Sequence, residues 1–336
     1  MKILVTGGTG FIGYHLVKEL VKQYSPADIT CLVRSAEKGR VLESLGVRVV
    51  TGDLTRKETL REACQGVECV YHLAACVRFG IKDKSGVDFE ADNVAGTKNL
   101  IESCPSTVRR FIHMSSVNAV ERPLNDPCKE LISEKSPCAP QTPYGKSKLM
   151  AEEIVRTLAP ARKMTYLILR PPSIVYGAGC NPGSGMANLI KGVRQGSLLM
   201  ALNFPGRFSI VHVKDLVTAT IQFAGDEKLH DKVFFLANEK PYTLSEITDE
   251  ISRQLGIGRK KITLPSFFYG FSNWMISLFS CSAFFAKKIP FQLLMLLRDQ
   301  AAVSVEKARV QAGFRSTVSL EEGLKETIPC LLPNQK

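Results

Sequence analysis

The run Lys2-Ile3-Leu4-Val5-Thr6-Gly7-Gly8-Thr9-Gly10-Phe11-Ile12-Gly13 constrains this chain more than any other stretch. Ile3, Leu4 and Val5 read as a short buried strand. A loop holding Gly7, Gly10 and Gly13 follows, and then a helical pattern, Leu16-Val17-Leu20-Val21. In that context each glycine has a physical task. Gly7 permits the tight turn, and Gly10 lets the backbone approach a pyrophosphate. Gly13 lets the helix pack close to the strand, so that the helix N-terminus faces the phosphates.

The alternation continues. Candidate strands are 2–6, 28–33, 47–50, 69–73, 110–114, 166–170 and 232–236. Helical patterns at 11–23, 36–45, 56–64, 89–103, 144–160 and 214–224 separate most of them. Strands alternating with helices imply an α/β fold, a doubly wound parallel sheet covered on both faces. Ligands then bind at the carboxyl ends of its strands. The pattern stops after Tyr176, returns over 208–236 and is lost again. The expected division is a dinucleotide-binding domain from 1–175 and 208–237. A smaller, discontinuous C-terminal substrate-binding lobe takes 176–207 and 238–330. With 336 residues there is chain enough for both.

The net charge of +12 is spread along the chain, with no basic run interleaved with aromatics. That pattern disfavours nucleic acid and suits an anionic cofactor. The ten cysteines form no CxxC pair and no Cys/His cluster of zinc spacing. Reduced thiols, a cytoplasmic location and no metal are therefore expected. The first apolar run is the first strand, so it does not read as a signal peptide.

The second strand ends in Arg34, with Lys38 four residues on. At this place an NAD site carries an acidic residue for the ribose 2′-hydroxyl. A guanidinium clamps a 2′-phosphate instead. NADP(H) is therefore favoured over NAD(H), against the alternative of a solvated Arg at a strand end. Asp53-Leu54, after the third strand, either meets the adenine or caps the helix that follows.

Tyr144-Gly145-Lys146-Ser147-Lys148 puts Tyr144 and Lys148 on one face of a helix. A tyrosine near pKa 10 is a poor acid–base group at neutral pH. A nearby ammonium favours its phenolate. Upstream, the strand Phe111-Ile112-His113-Met114 ends in Ser115-Ser116, where a serine can hold a substrate oxygen. In this order the motifs resemble the extended short-chain dehydrogenase/reductase family, also known as the NAD-dependent epimerase/dehydratase superfamily, with its Rossmann-type domain. Thr6-Gly7-Gly8-Thr9-Gly10-Phe11-Ile12-Gly13 is similar to its TGxxGxxG loop, and Asp53-Leu54 to its adenine contact. His72-Leu73-Ala74-Ala75 is similar to the HxAA segment along the cofactor, and Asn93-Val94-Ala95-Gly96-Thr97 to the NxxGT helix. Arg170-Pro171-Pro172-Ser173-Ile174-Val175-Tyr176-Gly177 is similar to the strand and loop beside the nicotinamide. The resemblance implies a cofactor site at Gly7, Thr9, Gly10, Phe11, Ile12, Gly13, Arg34, Lys38, Asp53, Leu54, Leu73, Ala74, Ala75, Asn93, Tyr144, Lys148, Pro171, Ser173 and Ile174. It implies a catalytic triad of Ser116, Tyr144 and Lys148, with Ser116 preferred to Ser115. His212-Val213-Lys214-Asp215 departs from the family at Lys214, where an acidic residue is usual.

Within the family, dehydratases carry Thr-Asp-Glu where Ser115-Ser116-Val117 stands here. Epimerases place Phe-Asn after the late strand and Arg-Asp before the HVxD segment, where Pro172-Ser173 and Phe208-Ser209 stand. Both absences favour an apolar, non-nucleotide substrate, as in the 3β-hydroxysteroid dehydrogenase and dihydroflavonol-reductase branches. From Ile262 to Ala286 the chain has no charged residue and includes Phe267, Phe268, Tyr269, Phe271 and Trp274. Pro265, Gly270 and Asn273 make a poor spanning helix. The readings are a buried core or apolar substrate wall, a segment lying on a membrane surface, and a true span, in that order. The expected activity is an oxidoreductase interconverting a carbonyl and a secondary alcohol on a steroid-like or flavonoid-like substrate. The alternatives are a nucleotide-sugar epimerase with retained NAD and a non-catalytic dinucleotide-binding protein. A homodimer and peripheral membrane contact are the other expected associations.

Overall fold

The computed structural model describes residues 1–77, 88–121, 130–140, 142–204, 206–258, 261–263 and 302–332. The aromatic stretch 262–286 lies outside this set apart from residues 262 and 263. Seven strands form the central sheet: β1 (Ile3–Thr6), β2 (Ile29–Val33), β3 (Arg48–Thr51), β4 (Cys69–His72), β5 (Arg110–Met114), β6 (Thr165–Arg170) and, later in the chain, β10 (Lys232–Phe235). Their order is β10-β6-β5-β4-β1-β2-β3, with every neighbouring pair parallel. The order in which the chain adds strands reverses between β1 and β4, which opens a crevice over their carboxyl ends.

Alternate side chains of each strand enter opposite cores. Ile3 and Val5 of β1 pack with Leu16, Val17 and Leu20 of α1 (Phe11–Leu20), and with Leu216, Val217 and Phe223 of a later helix, Val213–Gly225. Leu4 faces the other way, toward the α3 helix (Gly96–Ser103), with Leu100 and Ile101, and the α4 helix (Pro143–Ala161), with Val155 and Ala159. The α2 helix (Ala36–Glu43) adds Leu42 to the first core. The continuous apolar strands follow from this two-sided burial.

Two expected helices differ. Residues 56–64 hold one 3-10 turn, Lys57–Leu60, in place of a longer helix. The Thr59 hydroxyl donates to the Arg56 carbonyl and accepts from the Asp53 amide, and such local side-chain bonds compete with a helical ladder. The helix of 89–103 opens with a wider π-wound stretch, Glu90–Ala95, before α3. There the Asn93 side chain is engaged with the Cys76 backbone, at 2.7 and 3.3 Å.

Beyond the sheet's carboxyl edge lie two small sheets. β7 (Ile174–Tyr176) pairs in parallel with β9 (Ile210–His212), and β8 (Arg207–Phe208) pairs with β11 (Tyr242–Thr243). A third core joins Tyr176, Met186, Ile190, Ile247, Ile251, Leu320 and Leu324. Its helices include α5 (Gly185–Arg194), the single turn α6 (Leu198–Ala201), α8 (Leu244–Leu255) and α10 (Leu320–Leu331); between the sheet helix Val213–Gly225, here α7, and α10 comes α9 (Glu306–Ala312). No helix among the described residues is long and apolar enough to cross a membrane.

Asp215, in the first turn of α7, fastens this third core to the sheet. Its carboxylate accepts from the Thr317 hydroxyl at 2.6 Å and the Val318 amide at 3.1 Å, just before α10. Replacing Asp215 by Ala leaves both donors without a partner. The expected loss is about 1–3 kcal/mol of unfolding free energy, read from the urea midpoint; an unmoved midpoint contradicts this anchoring role.

Candidate active site

The turn between β1 and α1 is built around absent side chains. Gly7 has φ +75°, and a Cβ on Gly13 would run into the Gly7 carbonyl. Gly10 is the N-cap of α1, with no side-chain cap, and the first turn holds no acidic residue. Thr9 and Gly10 are exposed, while Phe11 and Ile12 are half-buried. The helix N-terminus therefore presents open amides and positive dipole to the crevice, a fit for the pyrophosphate of a dinucleotide.

Toward β3 lie the residues expected near the adenosine. Arg34 is exposed, immediately after β2, and Lys38 is exposed on α2. Ser35 caps α2 in position but makes no side-chain cap bond. Asp53 uses Oδ1 to accept from the Thr55 amide at 2.9 Å and hydroxyl at 2.8 Å. That amide bond, with the Thr55 hydroxyl and the nearby Arg34 and Arg56 charges, holds its carboxyl below the usual range. Asp53 thus closes its own turn. Leu54 contacts the α3 start at Gly96, and its carbonyl accepts from Asn99.

A directional chain of hydrogen bonds crosses the β1–β4 junction. The Thr97 hydroxyl donates to the Asn93 carbonyl at 2.6 Å, so it accepts from His72 Nε2, at 2.9 Å. His72 Nδ1 accepts in turn from the Thr6 hydroxyl at 2.7 Å, whose oxygen also takes the Ala74 amide. Burial pushes His72 down to about 3, aided by the Lys148 charge, so the ring is neutral. Leu73, Ala74 and Ala75 follow β4 as a half-buried run beside the glycine turn. Asn93 Nδ2 reaches Ser147 Oγ at 2.9 Å, and Ser147 donates to the Tyr144 carbonyl.

Thr142 and Pro143 set the start of α4: the Thr142 hydroxyl accepts from the Gly145 amide, and proline occupies the first turn. A Cβ on Gly145 would press into the Asn118 carbonyl, so glycine lets this turn approach the loop after β5. Tyr144 there lies near Ser116, whose Oγ accepts from the Asn118 amide at 3.2 Å. Burial of its phenol pushes Tyr144 up to about 12, with the nearby Ser116 opposing the rise, so the lowering expected from the Lys148 ammonium is not seen in the free chain. One turn on, Lys148 is 1% exposed and its Nζ donates to the Met114 carbonyl at 2.7 Å. Burial brings it down to about 8, against the pull of Glu152.

The two serines separate cleanly. Ser115 points behind the cleft and donates to Glu152 Oε1 at 2.6 Å, while Ser116 Oγ accepts from the Asn118 amide at 3.2 Å, near Tyr144. Glu152 is fully buried and bound in a bidentate pair by Arg170, at 2.8 and 2.6 Å, with Arg156 at 2.9 Å. Past β6, the Pro171 carbonyl accepts from the Val117 amide, the exposed Ser173 donates to Asn118 Oδ1 at 2.7 Å, and Ile174 opens β7. All of these flank the carboxyl ends of β1, β4, β5 and β6. The sequence reading missed Gly145, Ser35 and Glu152. The available signal for Glu152 was an acidic residue four places after Lys148 on the same helix face.

The NAD dependent epimerase/dehydratase family matches residues 3–236 of the chain. Among curated proteins, the chain is 27% identical to a UDP-glucose 4-epimerase of Vibrio cholerae over 98% of its own length and 95% of that protein. It is 29% identical to sterol demethylase protein B of Methylococcus capsulatus, over 79% of this chain and 78% of that one. Among solved structures, UDP-glucuronic acid 4-epimerase from Bacillus cereus, in complex with NAD, superposes with TM-score 0.76 at 22% identity, covering 100% of both chains.

The crowded glycine turn yields a direct expectation. Gly13→Ala forces α1 away from the Gly7–Gly8 turn, and overpacking of this kind costs about 1–3 kcal/mol. Charged to the bound geometry, that is a loss of about 5- to 150-fold in nicotinamide dinucleotide affinity by equilibrium titration. Wild-type affinity in a folded Gly13→Ala protein would remove the turn from the binding site.

Proposed function

Because the chain belongs to the NAD-dependent epimerase/dehydratase family, as an NAD(P)-dependent enzyme of the extended short-chain dehydrogenase/reductase type, we propose that it is an NADP(H)-dependent oxidoreductase interconverting a carbonyl and a secondary alcohol on a largely apolar, steroid-like or flavonoid-like substrate. The observation that carries this reading is the convergence of Ser116, Tyr144 and Lys148 at the end of β5. The nicotinamide cofactor, when bound, supplies or accepts the hydride. In the reducing direction Tyr144 gives its phenol proton to the carbonyl oxygen and is left as phenolate. The Ser116 hydroxyl holds that oxygen. The Lys148 ammonium stabilises the phenolate from one turn away. The glycine turn, Leu73, Ala74, Ala75, Asn93, Pro171, Ser173 and Ile174 form the cofactor's cradle, with Asp53 and Leu54 at its adenine end.

Arg34 and Lys38 support NADP(H). With the Ser35 hydroxyl, which makes no cap bond, they offer a 2′-phosphate two cations and a donor, against the single carboxylate of Glu37 in the same turn. Pro172-Ser173 and Phe208-Ser209 lack the groups that read a nucleotide sugar, and the sterol named in the Methylococcus relative supports an apolar substrate. The Vibrio relative favours a second reading, an epimerase with retained NAD. The two differ in bookkeeping: an oxidoreductase changes the reduced-nicotinamide absorbance stoichiometrically with a panel of sterol and other apolar ketones, and an epimerase does not.

Tyr144→Phe removes the proton donor without adding bulk. It is expected to bind cofactor as wild type does and to lose turnover by about 10²–10⁴-fold. A variant that keeps more than about a tenth of the activity refutes the assigned role.

Arg34→Asp exchanges a phosphate clamp for a ribose acceptor. The ratio of NADPH to NADH affinity is expected to fall and to invert. If the wild-type protein already binds NADH more tightly, Arg34 is a solvated strand-end residue.

A further inference from the structure

We propose that Glu152 is the positioning residue of this site: it keeps the enclosed Lys148 ammonium charged and, through Ser115, fixes the strand end so that Ser116 turns to the cleft side. The proposal rests on the Ser116–Tyr144–Lys148 reading above and adds to it a residue that touches neither substrate nor cofactor.

One turn of α4 spans two consecutive residues of the β5 strand end. Lys148 binds the Met114 carbonyl at 2.7 Å, and Glu152, four residues later, takes the Ser115 hydroxyl at 2.6 Å. Successive residues of an extended strand point to opposite sides. Holding Ser115 on the helix side therefore sends Ser116 to the cleft side. The same carboxylate is gripped by Arg170 from β6 at 2.8 and 2.6 Å, and the Ser115 amide donates to the Leu169 carbonyl at 2.7 Å. The serine is thus held from its own strand's neighbour and from the helix.

The charges around Lys148 make Glu152 necessary. His72 of β4 and His113 of β5 lie on its side of the sheet, and both are neutral: burial pushes His113 well down, and the Lys148 charge pushes it further. Tyr144 is a protonated phenol. Arg170 and Arg156 lie beyond Glu152 and are cationic. Glu152 is consequently the anion that opposes the desolvation of Lys148, which otherwise favours the neutral amine. Arg170 in turn keeps that anion buried, because an unpaired carboxylate at zero exposure would be lost to protonation.

The test is NADPH binding to the whole chain, followed by fluorescence from about pH 6 to about pH 10, a window around the depressed lysine and below an ordinary one. No substrate is needed, so the result stands apart from whether turnover is found. Wild-type affinity is expected to fall on the alkaline side near Lys148's value of about 8, and Lys148→Met to abolish that fall. In Glu152→Gln/Arg170→Met, which removes both buried charges together so that neither is left alone, the fall is expected to move toward acid by about one pH unit. Glu152→Asp keeps the charge and is expected to restore the wild-type profile, whether or not the double variant folds. A folded double variant with the wild-type profile overturns the proposal. So does a Glu152→Asp profile shifted like a neutral variant, or an alkaline fall that survives Lys148→Met.

Discussion

The ion pair of Glu152 and Arg170 is the interaction on which the geometry of the cleft depends. Two fully desolvated charges are expensive, and their attraction repays that cost only with close geometry and further hydrogen bonds. Here the carboxylate has both: two guanidinium contacts at 2.6 and 2.8 Å, Ser115 and Arg156. Apolar side chains of similar volume could fill the same space at comparable stability. They could not fasten a helix to two strand ends at defined register. Arg170 carries the linkage outward: it stacks 5.6 Å from the Phe235 ring of β10, whose amide donates to Glu134.

A second network does the same for the cofactor cradle. Thr6, His72 and Thr97 join the glycine turn, the end of β4 and the start of α3. Each hydroxyl has a forced direction, because Thr97 is committed as a donor to the Asn93 carbonyl. The neutral ring of His72 is what such a chain requires, since a doubly protonated ring could not accept from Thr6. The two networks approach each other at Ser147, which takes Asn93 Nδ2 and binds the Tyr144 carbonyl beside Lys148. The glycine turn, the start of α3 and the start of α4 are therefore joined by hydrogen bonds, an arrangement that would keep the proposed acid–base pair in register with a bound cofactor.

The sheet was legible because its strands are buried on both faces, and continuous apolar runs such as Ile29–Val33 leave little choice. The helix at 56–64 was misread because its apolar spacing says nothing of Thr59, whose hydroxyl captures the backbone that a helix would need. The π-wound turn before α3 has the same origin, with Asn93 drawn to the Cys76 backbone across the cleft. The dinucleotide turn and the Tyr144–Lys148 spacing were readable as local patterns. The choice between Ser115 and Ser116 had only the resemblance to guide it, because it depends on Glu152, thirty-seven residues away in sequence. Asp53 was open between two uses, and the fold commits one of its oxygens to Thr55.

The protonation pattern gives the proposed chemistry a direction in the free chain. Near neutral pH the two imidazoles beside Lys148 are uncharged, the Tyr144 phenol one turn away is held near 12, and the ammonium itself lies at about 8. The phenol is thus stored in the form that donates a proton, and reduction of a carbonyl can begin without a prior ionisation. Oxidation of an alcohol needs the phenolate, so it must draw on positive charge brought into the cleft. Lys148 supplies part of that charge only while it stays protonated, and the same burial that raises the phenol also erodes the ammonium. Glu152 breaks this opposition: lying one turn beyond Lys148, on the Ser115 side of β5, it opposes the burial cost of the ammonium, while Tyr144 lies one turn before it. Placing the anion on the far side of the lysine from the phenol lets one buried carboxylate favour a charged base partner without directly repelling the phenolate that partner must stabilise.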